Sequence, residues 1–191
     1  MTLRALSLLA IAASATAAAA PETFNIDPNH THPTFETDHM GGLSTWRGIF
    51  KATGGTVTLD RTAGTGKVSV TIDTKSVDLD HEKLSQHVSS PDMLDVEKFP
   101  TATYEGTLGG FKDGAPTTVT GNLTLHGVTK PVPLTIDSFK CMTNPGTKKY
   151  VCGADARGSF NRADFGINYG DQYGFKMDVA LRIQVEAIRA Q

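Results

Sequence analysis

The 191 residues suit a single domain, and with 39% hydrophobic and 20% charged residues the chain is not a disordered tail. The formal net charge is −2 and like charges form no block, so no basic stripe exists to neutralise phosphates and nucleic-acid binding is excluded. Nineteen glycines, together with many threonines and valines, favour strands and turns over helices.

The first nineteen residues differ in kind from the rest. Arg4 is their only charge, residues 6–11 form a short apolar core, and an alanine-rich run follows. This pattern is typical of a secretory signal, and the apolar stretch is too short for a good membrane span. Because proline after the cleaved bond hinders the protease, Pro21 disfavours a cut after Ala20. We expect cleavage between Ala19 and Ala20, so that residues 1–19 are the signal peptide and residues 20–191 the exported domain.

From residue 22 onward, short alternating strands and turn signals follow one another, at least eight strands in all. Gly54-Gly55 is interpreted as a turn between two of these strands. The in-phase apolar positions that define the main strands are Phe24 and Ile26, Phe35 and His39, Trp46 and Phe50, Val57 and Leu59, Val68, Val70 and Ile72, Ala102 and Tyr104, Val119, Leu123 and Leu125, and Cys152, Ala154 and Ala156.

Residues 80–98 interrupt the strand pattern. Leu84 and Val88 are spaced for a helix, and Pro91 fits the start of a second one after Ser89-Ser90. The sequence therefore predicts two short helices lying over one end of the sheet structure. A lid that gates a cavity and a plug that seals the core remain alternatives.

The most regular segment is the last one, from Phe175 to Ala187. Apolar and polar residues alternate along it with only Ala180 out of step, which predicts a half-buried strand roughly 40 Å long at about 3.3 Å per residue. Antiparallel strands of that length coil and build barrels. A barrel with an apolar lining suggests a container for an apolar molecule.

Cys141 and Cys152 are the only two cysteines. Export into an oxidising compartment favours a disulfide between them, and Asn144-Pro145-Gly146 supplies a turn that would bring them together. Two unpaired buried thiols are the alternative.

No nucleophile elbow, zinc-protease or phosphate-loop motif is present in the sequence. His30 and His32 would point the same way on a strand, as a metal pair does, but no further ligand completes a coordination shell. Turn-capping or rim histidines are the alternative. Arg162 and Asp164 could pair across a strand end.

Taken in order, the motifs resemble the YceI family of bacterial, mostly periplasmic, lipid- or polyisoprenoid-binding proteins. The resemblance covers residues 23 to 188. Its motifs are Phe24-x-Ile26-Asp27-Pro28-x-His30-Thr31, Trp46-x-Gly48-x-Phe50, Ser90-Pro91-Asp92-Met93-Leu94-Asp95-Val96, the block from Val119 to Val132 with Leu125-His126-Gly127-Val128 at its centre, and Asn161-Arg162-x-Asp164-Phe165-Gly166.

This resemblance implies an all-β fold, an eight-stranded antiparallel lipocalin-like barrel, with one or two short helices over an end and an elongated apolar pocket. From the in-phase strand positions and the lid we select ten pocket residues. They are Phe35, Phe50, Met93, Leu94, Phe99, Tyr104, Phe165, Met177, Val179 and Leu181. His30, His39 and His87 are the candidates for a polar rim that meets the ligand's head group.

The resulting hypothesis is a periplasmic protein that binds and carries or sequesters an isoprenoid or other long-chain lipid. No metal and no resident cofactor are expected, although the bound molecule could be a lipid or an isoprenoid quinone. Transient membrane contact and a homodimer stay open. Two alternatives remain: a structural or partner-binding protein linked to quinone or cytochrome systems, and an enzyme that depends on the three histidines.

Overall fold

The computed structural model describes residues 20–191, so the predicted signal peptide, residues 1–19, lies outside the described residues. Twelve strands and one α-helix make up most of this part of the chain. The elements are β1 (Glu22–Ile26), β2 (His32–His39), β3 (Ser44–Phe50), β4 (Thr53–Asp60), β5 (Thr65–Asp73), β6 (Val77–Asp78), α1 (Glu82–Ser89), β7 (Thr101–Gly109), β8 (Thr118–Leu125), β9 (Val128–Pro131), β10 (Leu134–Thr143), β11 (Tyr150–Asn161) and β12 (Asp178–Arg189).

Eight of these strands close into an antiparallel barrel, as the sequence predicted. The order around the ring is β1-β4-β5-β7-β8-β10-β11-β12, and β12 returns to β1 through pairs such as Phe24 with Arg189. Closure leaves no free edge in the ring, which is how up-and-down barrels satisfy every backbone group. The short β9 pairs with β8 beside the ring.

The strand β12 changes partner part-way along its length. Near its end it pairs with β1, and from Gln184 back to Val179 it pairs with β2. The chain crosses between the two partners at the turn 27–31, where Thr31 Oγ1 donates to the Glu186 carbonyl and accepts from the Glu186 amide. Strands β2, β3 and β6 thereby extend the sheet beyond the ring at one end.

The predicted long strand exists, but it begins at Asp178 instead of Phe175. Its inward residues keep the predicted phase, and all eleven residues from Asp178 to Ile188 pair with β11. The segment before it departs because Gly174 takes a left-handed backbone with φ 78°, and the Lys176 amide donates to Asp38 Oδ2 on β2.

The predicted turn at Gly54-Gly55 is wrong, because both glycines lie inside β4. Residues 51–52 interrupt the strand between β3 and β4 without reversing it, since β3 and β4 run in the same direction. Gly55 has φ 143°, and a Cβ there would lie 2.1 Å from the Ser69 carbonyl oxygen on β5. The glycine therefore marks a close approach of two strands instead of a loop.

One helix, not two, covers the end of the barrel. α1 ends at Ser89, and residues 90–98 form successive turns in which the Leu94 amide donates to the Val88 carbonyl and the Asp95 amide to the Ser90 carbonyl. Asp95 has φ 47°, which a continuing right-handed helix does not allow. We call residues 79–99 the lid.

The predicted disulfide is confirmed. Cys141 on β10 and Cys152 on β11 are directly paired residues of one hairpin and are bonded to each other. Asn144 organises the turn between them, since its Oδ1 accepts from the Gly146 and Thr147 amides. No helix in residues 20–191 has the length and apolar character needed to cross a membrane.

Candidate functional site

The inward faces of the strands enclose a cavity of about 260 Å³. Strand β12 shows how the sequence builds its wall, because Val179, Leu181 and Ile183 face the cavity while Arg182 and Gln184 face outward. Among the residues that border the cavity, the polar side chains are four threonines, Tyr104 and Arg162. The site is therefore an apolar interior with very few hydrogen-bonding groups.

The cavity has two different ends. At one end the lid closes it with Val88, Met93 and Leu94. At the other end, which we call the hairpin end because the β10–β11 hairpin forms part of it, Phe24 and Phe139 border the cavity. Phe24 is 1% exposed, which makes it one of the most buried side chains of the described chain.

Seven of the ten predicted pocket residues border this cavity, contributed by strands β2, β3, β7 and β12 and by the lid. They are Phe35, Phe50, Met93, Leu94, Tyr104, Val179 and Leu181. Phe35 and Phe50 lie 5.6 Å apart between ring centroids, and Phe35 passes over Gly48, where a Cβ would collide with its ring.

The other three predicted pocket residues lie elsewhere. Phe99, the last residue of the lid, packs on His126, with 4.4 Å between ring centroids. Phe165 is fully buried but packs edge-on against Phe160, outside the cavity wall. Met177 precedes β12, and its carbonyl accepts from the Arg162 amide. The alternation of apolar and polar residues could not predict where these three side chains point, because all three belong to irregular segments.

The three predicted rim histidines do not border the cavity. His39 lies between the rings of Trp46 and Phe175, and His87 stacks edge-on against Tyr169 with 4.5 Å between centroids. Both therefore act as packing groups around the lid end.

His30 sits in the turn between β1 and β2, where its Nδ1 is 2.8 Å from Asp27 Oδ2. This hydrogen bond raises the pKa of His30 and lowers the pKa of Asp27. In the same turn the Asn29 backbone amide donates to Asp27 Oδ1, so His30 stabilises a turn, which was the alternative to a ligand role.

Tyr104, one of the predicted pocket residues, borders the cavity with its ring. Its hydroxyl donates to the Val132 carbonyl at 2.9 Å, and burial raises its pKa to about 12. The hydroxyl is thus neutral and already bonded, and the ring serves as apolar wall.

Arg162 is the residue that sequence reasoning assigned wrongly. It does not pair with Asp164; its guanidinium is buried, and Nη1 and Nη2 donate to the carbonyls of Ile167 and Tyr169 at 2.9 and 2.7 Å. Burial lowers its pKa. The sequence did contain one indication that Arg162 is buried. It follows Phe160 and precedes Phe165 and Ile167, so large apolar residues stand on both sides of it.

Proteins similar to this chain are found by comparison of both its sequence and its fold. A protein of Pectobacterium atrosepticum called UPF0312 protein ECA1782 is 38% identical over 190 residues, which is 99% of this chain and 96% of that protein. The protein YceI of Salmonella arizonae is 38% identical over 174 residues, 91% of this chain and 89% of the relative.

A solved polyisoprenoid binding domain from Saccharophagus degradans shares the fold. It is 13% identical with a TM-score of 0.63, and the match covers 87% of this chain and 98% of that domain. The model of the YceI-like domain matches residues 24–187, nearly the whole barrel. The motifs, the closed barrel and these matches agree, and the chain belongs to the YceI-like domain family.

Proposed function

We propose that this protein binds an isoprenoid or another long-chain amphiphilic lipid inside the barrel and carries or sequesters it. The observation that carries the proposal is the partly open cavity of about 260 Å³ with an almost wholly apolar wall. A dry apolar cavity of about 150 Å³ already takes up benzene-sized molecules in other proteins. The name of the polyisoprenoid binding domain from Saccharophagus degradans supports the same class of ligand.

Energetics favour a carrier over a permanent store. Each buried methylene contributes on the order of 0.8 kcal/mol relative to water, so a long chain binds tightly from solution. A bilayer offers the same chain an equally apolar environment, and transfer from membrane to cavity is then close to neutral. Reversible loading follows from that balance.

The test uses a filled cavity against a matched surface change. Ala154 borders the cavity on β11, whereas Ser159 is exposed on the outward face of the same strand. Protein purified from its own host is extracted with organic solvent and the extract is analysed by mass spectrometry. We expect a long-chain lipid from the wild type and from Ser159→Trp, and a loss of that lipid from Ala154→Trp.

Wild-type protein that yields no lipid, and that takes up neither polyprenyl nor fatty chains when these are added, would exclude the proposal. Equal lipid content in the two tryptophan variants would place the ligand outside the cavity. Circular dichroism and thermal unfolding verify that both variants keep the barrel.

The proposed location is the periplasm. The signal-like residues 1–19 and the Cys141–Cys152 disulfide both support export, since disulfides persist in oxidising compartments. Fractionation of host cells, with a cytoplasmic enzyme as the marker for leakage, is the corresponding test.

We also propose transient contact of the lid end with a lipid surface. Met40 and Leu43, in the β2–β3 turn, are 58% and 73% exposed, and Tyr173 is 66% exposed. Asp38 Oδ2 joins their two loops by accepting from the Gly41 and Lys176 amides. Wild-type protein should sediment with liposomes, and Leu43→Ser should reduce the bound fraction; equal binding by both would exclude this contact.

We propose a binding protein and not an enzyme. The three histidines on which a catalytic reading depended pack on aromatic rings or stabilise a turn, and none borders the cavity. A triple variant that replaces His30, His39 and His87 should keep the lipid content of the wild type.

A further inference from the structure

Three of the six polar side chains that border the cavity lie at its lid end. Thr53 begins β4, Thr37 lies near the end of β2, and Arg162 follows the end of β11. Two of the others are bonded to backbone elsewhere along the wall, Thr31 to Glu186 and Tyr104 to Val132.

Two of these polar groups have hydrogen-bonding capacity left over. Arg162 is 6% exposed and Thr53 is 5% exposed. The Arg162 Nε–H and the Thr53 hydroxyl are both buried, and neither has a hydrogen-bond partner within residues 20–191. Buried donors are normally satisfied, so two orphans at the same end of one cavity point to a missing acceptor.

The charge of Arg162 is also unmatched. No carboxylate in the described part of the chain lies within 4.0 Å of its guanidinium, and the two bonds it makes go to neutral carbonyls. Asp171, the acid whose field acts on it, is exposed to solvent. Buried cations are usually paired, and an anion would complete this site.

We propose that the ligand is an acidic amphiphile whose anionic oxygen binds Arg162 beneath the lid, with its hydrocarbon tail directed toward the hairpin end. The Thr53 hydroxyl, also at the lid end, is a second buried donor open to an acceptor on a ligand. A carboxylate and a phosphate share this chemistry, so a fatty acid and a prenyl phosphate are the two sources. The proposal deepens the lipid-binding function and rests on it.

The first experiment compares pairs of probes that share a hydrocarbon tail and differ in the charge of the head group. Delipidated wild-type protein is titrated calorimetrically with palmitate and with methyl palmitate, and the same is done with prenyl phosphate and the free prenol. We expect the acid of at least one pair to bind about tenfold or more tightly than its neutral partner, as hydrogen bonds to a charged group predict.

The possible outcomes distinguish failure of the Arg162 site from failure of the proposed lipid binding. Equal affinities for the acidic and neutral members of both pairs would overturn the Arg162 site while leaving lipid binding in place. Failure of all four probes to bind would remove the proposed function and this site with it.

Variants then assign the preference to Arg162. Arg162→Met should lose the preference for the acid over its neutral partner, whereas Arg162→Lys should keep part of it. Because Arg162 also holds the carbonyls of Ile167 and Tyr169, thermal unfolding of each variant is measured first. A full preference retained by a folded Arg162→Met variant would contradict the proposal.

Orientation gives a readout that needs no substitution. In the wild-type complex, NMR contacts should join the methylene next to the palmitate carboxylate to the lid residues Met93 or Leu94, and the terminal methyl group to Phe139 or Phe24. The reverse arrangement would overturn the proposed head-group site.

Discussion

The two ends of the barrel are built in different ways. At the hairpin end, regular strands β1, β4, β10 and β11 meet, and Phe24, Leu59 and Phe139 border the cavity there. At the lid end the strands give way to short helices and turns, with left-handed residues such as Asp80, Asp95 and Gly166. We expect the regular end to contribute most of the stability, whereas the lid end holds Thr53 and Arg162, whose buried Oγ1 and Nε atoms lack a partner in residues 20–191.

Phe24→Ala should give the largest loss of stability. Phe24 is 1% exposed at the hairpin end, and truncating such a phenylalanine costs about 3 kcal/mol or more of unfolding free energy. Denaturant unfolding measures the change. A smaller loss than Met93→Ala in the lid would reverse the assignment of stability to the hairpin end.

Removing the disulfide should come next. Its loop is closed across a sequence separation of 11 residues, for which chain entropy gives about 2–3 kcal/mol. The double variant Cys141→Ala with Cys152→Ala is compared with the oxidised wild type by urea unfolding. An unchanged midpoint would mean that the hairpin is equally fixed without the bond.

Met93→Ala tests the lid end. Met93 is only partly buried and packs over the cavity, so its truncation should cost less stability than Phe24→Ala while opening a path to the interior. We expect ligand to dissociate several-fold faster, measured by stopped-flow transfer of a fluorescent fatty acid to vesicles. An unchanged rate would indicate that ligand leaves by another route.

The smallest effect concerns acid. Backbone amides of Lys176 and Gly41 donate to Asp38 and lower its pKa. The folded state is therefore favoured above the ordinary aspartate value of about 3.9, and this contribution disappears as the pH falls through the lowered folded value. An NMR titration should find the Asp38 carboxyl below that ordinary value. A normal pKa would show that the two loops are not joined there.

The sequence predicted the regular strands of the barrel better than the irregular segments at the lid end. Period-two alternation located the wall residues of β5, β7, β8 and β12, since side chains of a strand must face opposite sides. The turn residues and the two cysteines lie close together in the chain, and this spacing, with the expected export, predicted the disulfide.

What it missed depends on contacts between distant segments. Gly54-Gly55 resembles a turn until the approach of Ser69 is known, and Phe175 continues the alternation until Asp38 captures the Lys176 amide. The role of Arg162 depends on carbonyls presented by a loop further along the chain. Local pattern contains none of this information.

The double partnership of β12 has a consequence for how the molecule assembles. The ring is sealed by pairs such as Phe24 with Arg189, which lie near opposite ends of the described chain. Contacts of such long range are formed late and slowly during folding. The closed ring therefore does not exist until nearly the whole described chain is available, and the proposed ligand could enter the cavity only after that.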